Sequence, residues 1–203
     1  MELPFAKFQA QYTNMQSGAI NKNALYAKVK TNGQKKLFAH NDITLNDSLP
    51  GLSINSLKHI FPNNFPGRDS LISFYSTYNG GYFDGGAYIY REDIYTLKPD
   101  DYNLLEIEAF NFIPAHPNQT HSRLMSTTEK LDLRIIHHKA NSCFLSKNIP
   151  FAGDAGANDF WIDTATGVIR YTRSEHLSDP SRAILVAPNF RTFLDAIRGS
   201  RKP

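Results

Sequence analysis

Hydrophobic residues recur along the chain with two different spacings, and each spacing predicts a different kind of element. A spacing of three and four positions between residues 71 and 78 predicts one buried face of an α-helix. Asp69 or Ser70 is available as the N-cap of this helix, and the Asn-Gly-Gly sequence at 79–81 is expected to end it. The residues of the buried face are Leu71, Phe74, Tyr75 and Tyr78.

The same spacing predicts a second helix near the C-terminus. Pro188-Asn189 is expected to open this helix, and Gly199 is expected to close it. Its predicted buried stripe consists of Phe190, Phe193, Leu194 and Ile197.

Alternating hydrophobic and polar positions predict strands between these helices. The clearest run is 150–163, where Phe160 and Ile162 alternate with Trp161 and Asp163. A turn at 164–167 leads into a further strand at 167–171, so the region is interpreted as a β-meander with a Gly/Asp/Asn-rich connection. Strands are also predicted at 87–90, 107–113 and 183–187.

The sequence is compatible with more than one structure in two segments. Residues 92–105 fit a helix or an acidic loop, and residues 131–136 fit a strand or a helix equally well. Residues 46–66 are rich in Asn, Ser, Pro and Gly and are interpreted as a connector with one short helical turn at 54–60.

The N-terminal part is interpreted as an extension of the main domain. Phe5, Phe8 and Tyr12 share one helical face, and Asn32-Gly33 favours a hairpin between 24–30 and 34–39. The order of elements predicts an α+β protein: a single domain at 66–203 with a mainly antiparallel sheet flanked by helices. The extension, residues 1–65, is expected to pack its helix and β-hairpin on that core.

Composition places the chain among ordinary globular proteins. Of its 203 residues 41% are hydrophobic, and no apolar run approaches the roughly 20 residues of a membrane helix. The start of the chain lacks the basic-then-apolar order of a signal peptide, and one cysteine excludes an intramolecular disulfide. A cytoplasmic protein without a membrane partner is expected.

Charge is unevenly distributed, and this changes the expected partner. The net charge of +3 combines basic ends with a middle part, 66–180, that holds ten basic and fifteen acidic residues. Within it, 84–108 holds seven acidic and two basic residues. Because nucleic-acid binding needs basic residues clustered on one face, no nucleic-acid partner is expected.

Three carboxylates in the meander, Asp154, Asp159 and Asp163, are the first candidates for chemistry. Their spacing does not match an EF-hand loop, because Gly156 stands where a ligand is needed and no Glu follows at the required offset. A general acid/base pair stays open, but the favoured interpretation is that Asp154 and Asp163 bind backbone N–H groups of the turns.

The remaining candidates for catalysis or metal binding are weaker. His137-His138 are adjacent and point in different directions, while His116 and His121 flank a loop without a nearby cysteine to complete a zinc site. Cys143 is expected to be a buried small hydrophobe. No phosphate-binding loop or nucleophile elbow is present. We therefore expect no catalytic residue, no cofactor and no metal.

The order of the landmarks resembles the SUKH superfamily, which includes yeast cell-wall synthesis regulators and bacterial immunity proteins. The resemblance covers about residues 66–198. It is carried by a helix ended by Asn79-Gly80-Gly81, the segment 149–152 before the Gly/Asp loop, the strand 159–163, the segment 166–171, and 186–190 before Phe193-Leu194.

The resemblance implies a non-enzymatic α+β binding protein, in bacteria most often the antidote to a delivered toxin. We expect a monomer or weak homodimer that binds a cognate protein toxin through an acidic surface with tyrosine anchors. The candidate contact residues are Tyr82, Asp84, Glu92, Asp93, Asp100, Asp101, Asp154, Asn158 and Asp159. The alternatives are an intracellular adaptor or regulator with the same fold and, less favoured, a hydrolase using Asp154, Asp159 and a histidine.

Overall fold

The computed structural model describes residues 37–40, 42–96, 102–116, 118–138 and 140–200. In chain order its strands are β1 (Leu45–Asn46), β2 (Leu49–Pro50), β3 (Tyr78–Asn79), β4 (Gly81–Tyr90), β5 (Leu104–Phe110), β6 (Asn148–Gly153), β7 (Asp159–Asp163), β8 (Ile169–Thr172) and β9 (Ile184–Ala187). Its α-helices are α1 (Ile54–Ile60), α2 (Arg68–Thr77), α3 (Thr127–His138), α4 (Ser142–Leu145) and α5 (Phe190–Ala196).

Seven strands form one antiparallel sheet in the order β1-β4-β5-β6-β7-β8-β9, and β2 pairs with β3 in a separate two-stranded sheet. From β4 to β9, each strand pairs with the next strand along the chain. β5 and β6 are joined by the long segment that contains α3 and α4. The predicted α+β fold with a mainly antiparallel sheet is confirmed.

The main hydrophobic core lies between the sheet and three helices. α2 contacts both α1 and α5, and α5 packs against β9. Phe74 of α2 lies 4.7 Å from Phe110 of β5 and 5.6 Å from Phe190 of α5, measured between ring centroids. The helical stripes predicted in α2 and α5 are both buried, as amphipathic helices require.

A smaller core lies on the opposite face of the sheet, under α3 and α4. Trp161 of β7 is fully buried there with Leu131, Phe144 and Leu177. Its ring meets Phe144 edge-on at 5.2 Å, and its indole N–H donates to the Thr172 hydroxyl at 2.8 Å. Successive residues of β7 therefore serve two cores, which explains why the whole strand is buried.

The ends of α2 differ from the prediction. Its N-cap is Gly67, not Asp69 or Ser70, and this glycine has a positive φ of 83°. A Cβ atom there would lie 2.8 Å from the backbone nitrogen of Phe190, so the start of α2 approaches α5 too closely for a side chain. The helix ends at Thr77, because Tyr78 already pairs with Pro50 in the small sheet.

The structure describes 131–136 in full and 92–105 in part. Residues 131–136 lie within α3, which begins with a capping box: Ser126 N–H donates to the Glu129 carboxylate, and Glu129 N–H donates to the Ser126 hydroxyl. Residues Arg91–Asp93 form one 3-10 turn, and β5 already begins at Leu104. The short helix predicted at 54–60 is confirmed as α1, with Ser53 as its N-cap.

Residues 42–65 pack with the rest of the domain. β1 pairs with β4, and Leu45, Leu57, Phe61 and Phe65 belong to the main core. These contacts cross the boundary that sequence patterns place at residue 65, and the division into 1–65 and 66–203 stays a prediction. The predicted N-terminal helix and most of the predicted hairpin around Asn32-Gly33 lie outside the described residues. None of the described helices has the length and apolar character needed to cross a membrane.

Candidate functional site

A cleft of about 370 Å³ opens where β4, β5 and the end of β6 meet the start of α3. Both charged and apolar side chains surround it. The lining residues are Tyr82, Glu108, Ala109, Asn111, Arg123, Met125, Lys130, Gly153 and Asp154.

The rim of the cleft is held by Arg123. Its guanidinium donates to the Tyr82 hydroxyl at 2.7 Å, lies 5.4 Å from the centre of the Tyr82 ring and forms a 3.3 Å ion pair with Asp47. Because the Arg123 side chain is 61% exposed, these contacts contribute little stability. They fix instead the position of one positive charge beside Tyr82.

The floor of the cleft rests on a buried cluster of three charges. Lys130 and Arg134 are one turn apart on α3, and both reach Asp159 at the start of β7. The Lys130 ammonium lies 3.2 Å from Asp159 Oδ1, while Arg134 donates through Nε to Oδ2 at 2.5 Å and through Nη2 to Oδ1 at 3.1 Å. Asp159 is fully buried, so its contacts are internal and no partner can reach it directly.

Gly153 makes room for this cluster. A Cβ atom at position 153 would lie 3.3 Å from the Lys130 ammonium and 3.1 Å from the carbonyl oxygen of Asn158. The missing side chain therefore lets the ammonium group lie against the end of β6, at the floor of the cleft.

The connection between β6 and β7 is held by its own polar side chains. Asp154 accepts hydrogen bonds from the backbone and side-chain N–H groups of Asn158, at 2.8 and 2.9 Å, and from the Tyr171 hydroxyl at 2.7 Å. Asn158 in turn accepts from Ser174 N–H. Burial, followed by the neighbouring Asp154 carboxylate, raises the pKa of Tyr171, which keeps the hydroxyl protonated as a donor.

Asp163 has the same kind of role at the next turn. Its carboxylate accepts from the N–H groups of Ala165 and Thr166 and pairs with Arg170 at 3.0 Å. Burial by itself would raise the pKa of Asp163, but the two N–H groups and the Arg170 guanidinium together hold it below its usual value. The predicted role of Asp154 and Asp163 in binding turn backbone is confirmed.

The predicted acidic contact residues are separated by the fold. Asp84 is exposed in an irregular stretch of β4, and Glu92 is exposed on the 3-10 turn that follows this strand. Asp93 is half-buried and forms an ion pair with Arg198, so its charge is already matched. Asp100 and Asp101 lie outside the described residues.

A second group of residues shares the side of the β4–β5 hairpin that faces away from the main core. Tyr88 pairs with Glu106 across the two strands, and Tyr90 pairs with Leu104. Paired residues of antiparallel strands lie on the same side, and their neighbours Ala87, Ile89, Leu105 and Ile107 are buried in the main core. We call the surface formed by Tyr82, Tyr88, Tyr90, Leu104, Glu106 and Glu108 the outer face; it runs into the cleft at Tyr82 and Glu108.

Sequence patterns did not identify Lys130, Arg134, Arg123 or Glu108 as members of this site. The spacing of Lys130 and Arg134 places them on one face only if 131–136 is helical, and the Ser126-x-x-Glu129 capping box was the available signal for that helix. Arg123 lies in a connection without periodicity, so its contact with Tyr82 has no sequence signature.

The candidates for metal binding and nucleophilic chemistry are dispersed. Within the described residues no group of three His, Cys, Asp or Glu side chains is placed to hold a metal ion. His121 accepts hydrogen bonds from the backbone N–H groups of Arg123 and Leu124 through Nδ1. Cys143 is exposed on the short helix α4, so the expectation of a buried cysteine was wrong.

The model of the SMI1 / KNR4 family (SUKH-1) matches residues 54–196, which is more than half of the chain. The chain belongs to this family. The match confirms the resemblance to the SUKH superfamily, and it begins at α1 rather than at residue 66. No curated protein matches the chain.

The SUKH-1 match includes both the cleft and the outer face. Every residue that forms these two surfaces lies within 54–196, whereas Asp47, which pairs with Arg123, precedes the matched region. The candidate site is thus part of the family domain itself.

Proposed function

We propose that the protein is a bacterial immunity protein that binds and neutralises a cognate toxin by protein–protein contact, without catalysis. Its membership of the SUKH-1 family supports this role, since the superfamily includes immunity proteins. In this proposal the protein acts in the cytoplasm, as a monomer or weak homodimer, and needs neither a cofactor nor nucleic acid.

The observation that carries the proposal is the continuity of the outer face with the cleft. Three tyrosines of β4 line one side of the hairpin without being fully buried, and two acidic residues of β5 lie beside them. Tyrosine offers a rigid apolar ring with a polar tip, and such rings are enriched where proteins contact each other. Tyr82 joins this surface to a concave region that can take a side chain of the partner.

The same geometry argues against the hydrolase alternative. A general acid or base must reach its substrate within hydrogen-bond distance. Asp159 is fully buried and both of its oxygens bind cations, while Asp154 is occupied by Asn158 and Tyr171. These carboxylates stabilise the β6–β7 connection and thereby support the binding surface.

The experiment that tests the proposal is co-expression with the effector encoded by the adjacent gene. In a host without this gene pair, the effector alone should arrest growth, and the protein should restore growth and co-purify with a catalytically inactive effector. Binding without restored growth would favour the adaptor alternative. Absence of both binding and protection would contradict the proposed function.

A further inference from the structure

We propose that the outer face is the docking surface for a basic region of the partner protein, with the tyrosines as anchors and Glu106 and Glu108 as the main charged contacts. This inference rests on the proposed function and specifies the partner: a protein surface rich in lysine and arginine, beside apolar side chains that meet Leu104 and Met125.

The helices lie on both sides of the sheet. α1, α2 and α5 pack on the main core, and α3 and α4 contact β6 on the other side of the sheet. α3 borders the β4–β5 hairpin at the cleft, which its Lys130 lines together with Glu108. Leu104 remains 41% exposed and Met125 38% exposed. A half-covered sheet with exposed large apolar side chains is a surface suited to a partner.

The acidic residues of the hairpin differ in their pairing from most other carboxylates of the domain. Asp84, Glu106 and Glu108 form no ion pair within the part of the chain that the structure describes, whereas Asp93, Asp159, Asp163 and Asp195 are each paired with arginine. The carboxylates whose charge is matched internally thus lie elsewhere, and the hairpin displays unmatched negative charge. A surface of this sign attracts a basic protein and repels the phosphates of nucleic acid.

The tyrosines of the outer face are already held in position. Arg123 binds the Tyr82 hydroxyl, and the Tyr90 hydroxyl donates to the carbonyl oxygen of Gly199. The rings of Tyr88 and Tyr90 lie 6.3 Å apart, and the Tyr88 ring folds over Gly86, where a Cβ atom would come within 3.0 Å of it. Side chains already held in place lose little conformational entropy on binding, so they are effective anchors.

The test is the kinetics of binding to the inactive effector of the adjacent gene, measured between about 0.05 and 0.3 M salt. The full-length E106Q/E108Q variant removes two charges from the outer face at constant shape. D69N/D132N removes two exposed charges that lie outside this face and form no ion pair within the described part of the chain, so it is the matched control. Y88A removes one anchor, and the thermal unfolding of every variant verifies that it is folded.

We expect E106Q/E108Q to lower the association rate constant about three- to tenfold at low salt and to flatten its salt dependence. Y88A should raise the dissociation rate about tenfold or more, while D69N/D132N leaves both rates unchanged. If the wild type binds and protects but all variants match it, the docking surface lies elsewhere and the inference is wrong while the proposed function stands. If these substitutions instead abolish self-association in light scattering, the face is a homodimer interface and the inference is also wrong. A wild type that neither binds nor protects overturns the proposed function and this inference with it.

Discussion

The carboxylate of Asp159 accepts two hydrogen bonds from the guanidinium of Arg134, at 2.5 and 3.1 Å, and both side chains are buried. This pair joins α3 to β7 on the side of the sheet that carries the cleft. Lys130, one turn earlier on α3, shares the same carboxylate at 3.2 Å. The position of the cleft floor therefore depends on one aspartate.

We predict that Asp159→Ala destabilises the domain by about 3–5 kcal/mol, because it leaves Arg134 and Lys130 buried without their anion. Urea unfolding followed by circular dichroism measures the free energy of unfolding. Asp132→Asn is the control, since Asp132 is exposed on the same helix and should cost less than about 0.5 kcal/mol. Similar costs for the two variants would show that the buried cluster does not hold α3 on the sheet.

The ionised carboxylate of Asp163 contributes stability that is lost in acid. Its pKa lies below the unfolded value of about 3.9, so its contribution is fully present above that value and is lost as the pH falls through the folded pKa. Asp163→Asn should cost about 1–3 kcal/mol at neutral pH, because the turn loses a charged acceptor for two N–H groups. The variant should also lose less stability than the wild type when the free energy of unfolding is measured from about pH 5 down to pH 2. Parallel pH curves for the two proteins would contradict this role.

The local contacts of Asp154 and Asp163 could be predicted, whereas the cluster around Asp159 could not. An aspartate in a tight turn binds N–H groups two to four residues away, so its role is encoded in the neighbouring sequence. Asp159 meets Arg134 across 25 positions, and that contact exists only after α3 packs on the sheet. The same limit applies to Asp93, which the sequence predicts to contact the partner and which pairs with Arg198 across 105 positions.

The ambiguity of 131–136 also has a physical cause. Ile135 and Ile136 are 44% and 70% exposed, so the apolar residues of 131–136 do not share a single buried face. Periodicity fails when apolar residues lie on the solvent side. Conversely, the stripes of α2 and α5 were predictable because all of their apolar residues face one core.

Two glycines with similar φ angles separate the cost of backbone strain from the cost of lost space. Gly67 has a φ of 83° and Gly85 has a φ of 87°. A Cβ atom at Gly67 would lie 2.8 Å from Phe190 nitrogen, whereas none of the described atoms lies within 4 Å of one at Gly85. Gly85→Ala should cost about 1 kcal/mol through backbone strain alone. Gly67→Ala should cost about 2–4 kcal/mol, because α2 must also move away from α5. Equal losses in melting temperature for the two variants would show that α2 can move away from α5 without a loss of stability.

Trp161 provides a probe of the second core, because it is the only tryptophan in the chain and is fully buried. Its indole N–H donates to the Thr172 hydroxyl of the adjacent strand. Thr172→Val keeps the shape but removes the acceptor, so the buried N–H should cost about 1–3 kcal/mol. Thr172→Ser keeps the hydroxyl and loses one methyl group, at a cost of about 1 kcal/mol. Urea unfolding followed by tryptophan fluorescence measures the free energy of unfolding of both variants. The emission of the folded valine variant should also shift, because the indole loses its hydrogen bond. A valine variant as stable as the serine variant would show that the hydroxyl of Thr172 does not stabilise the second core.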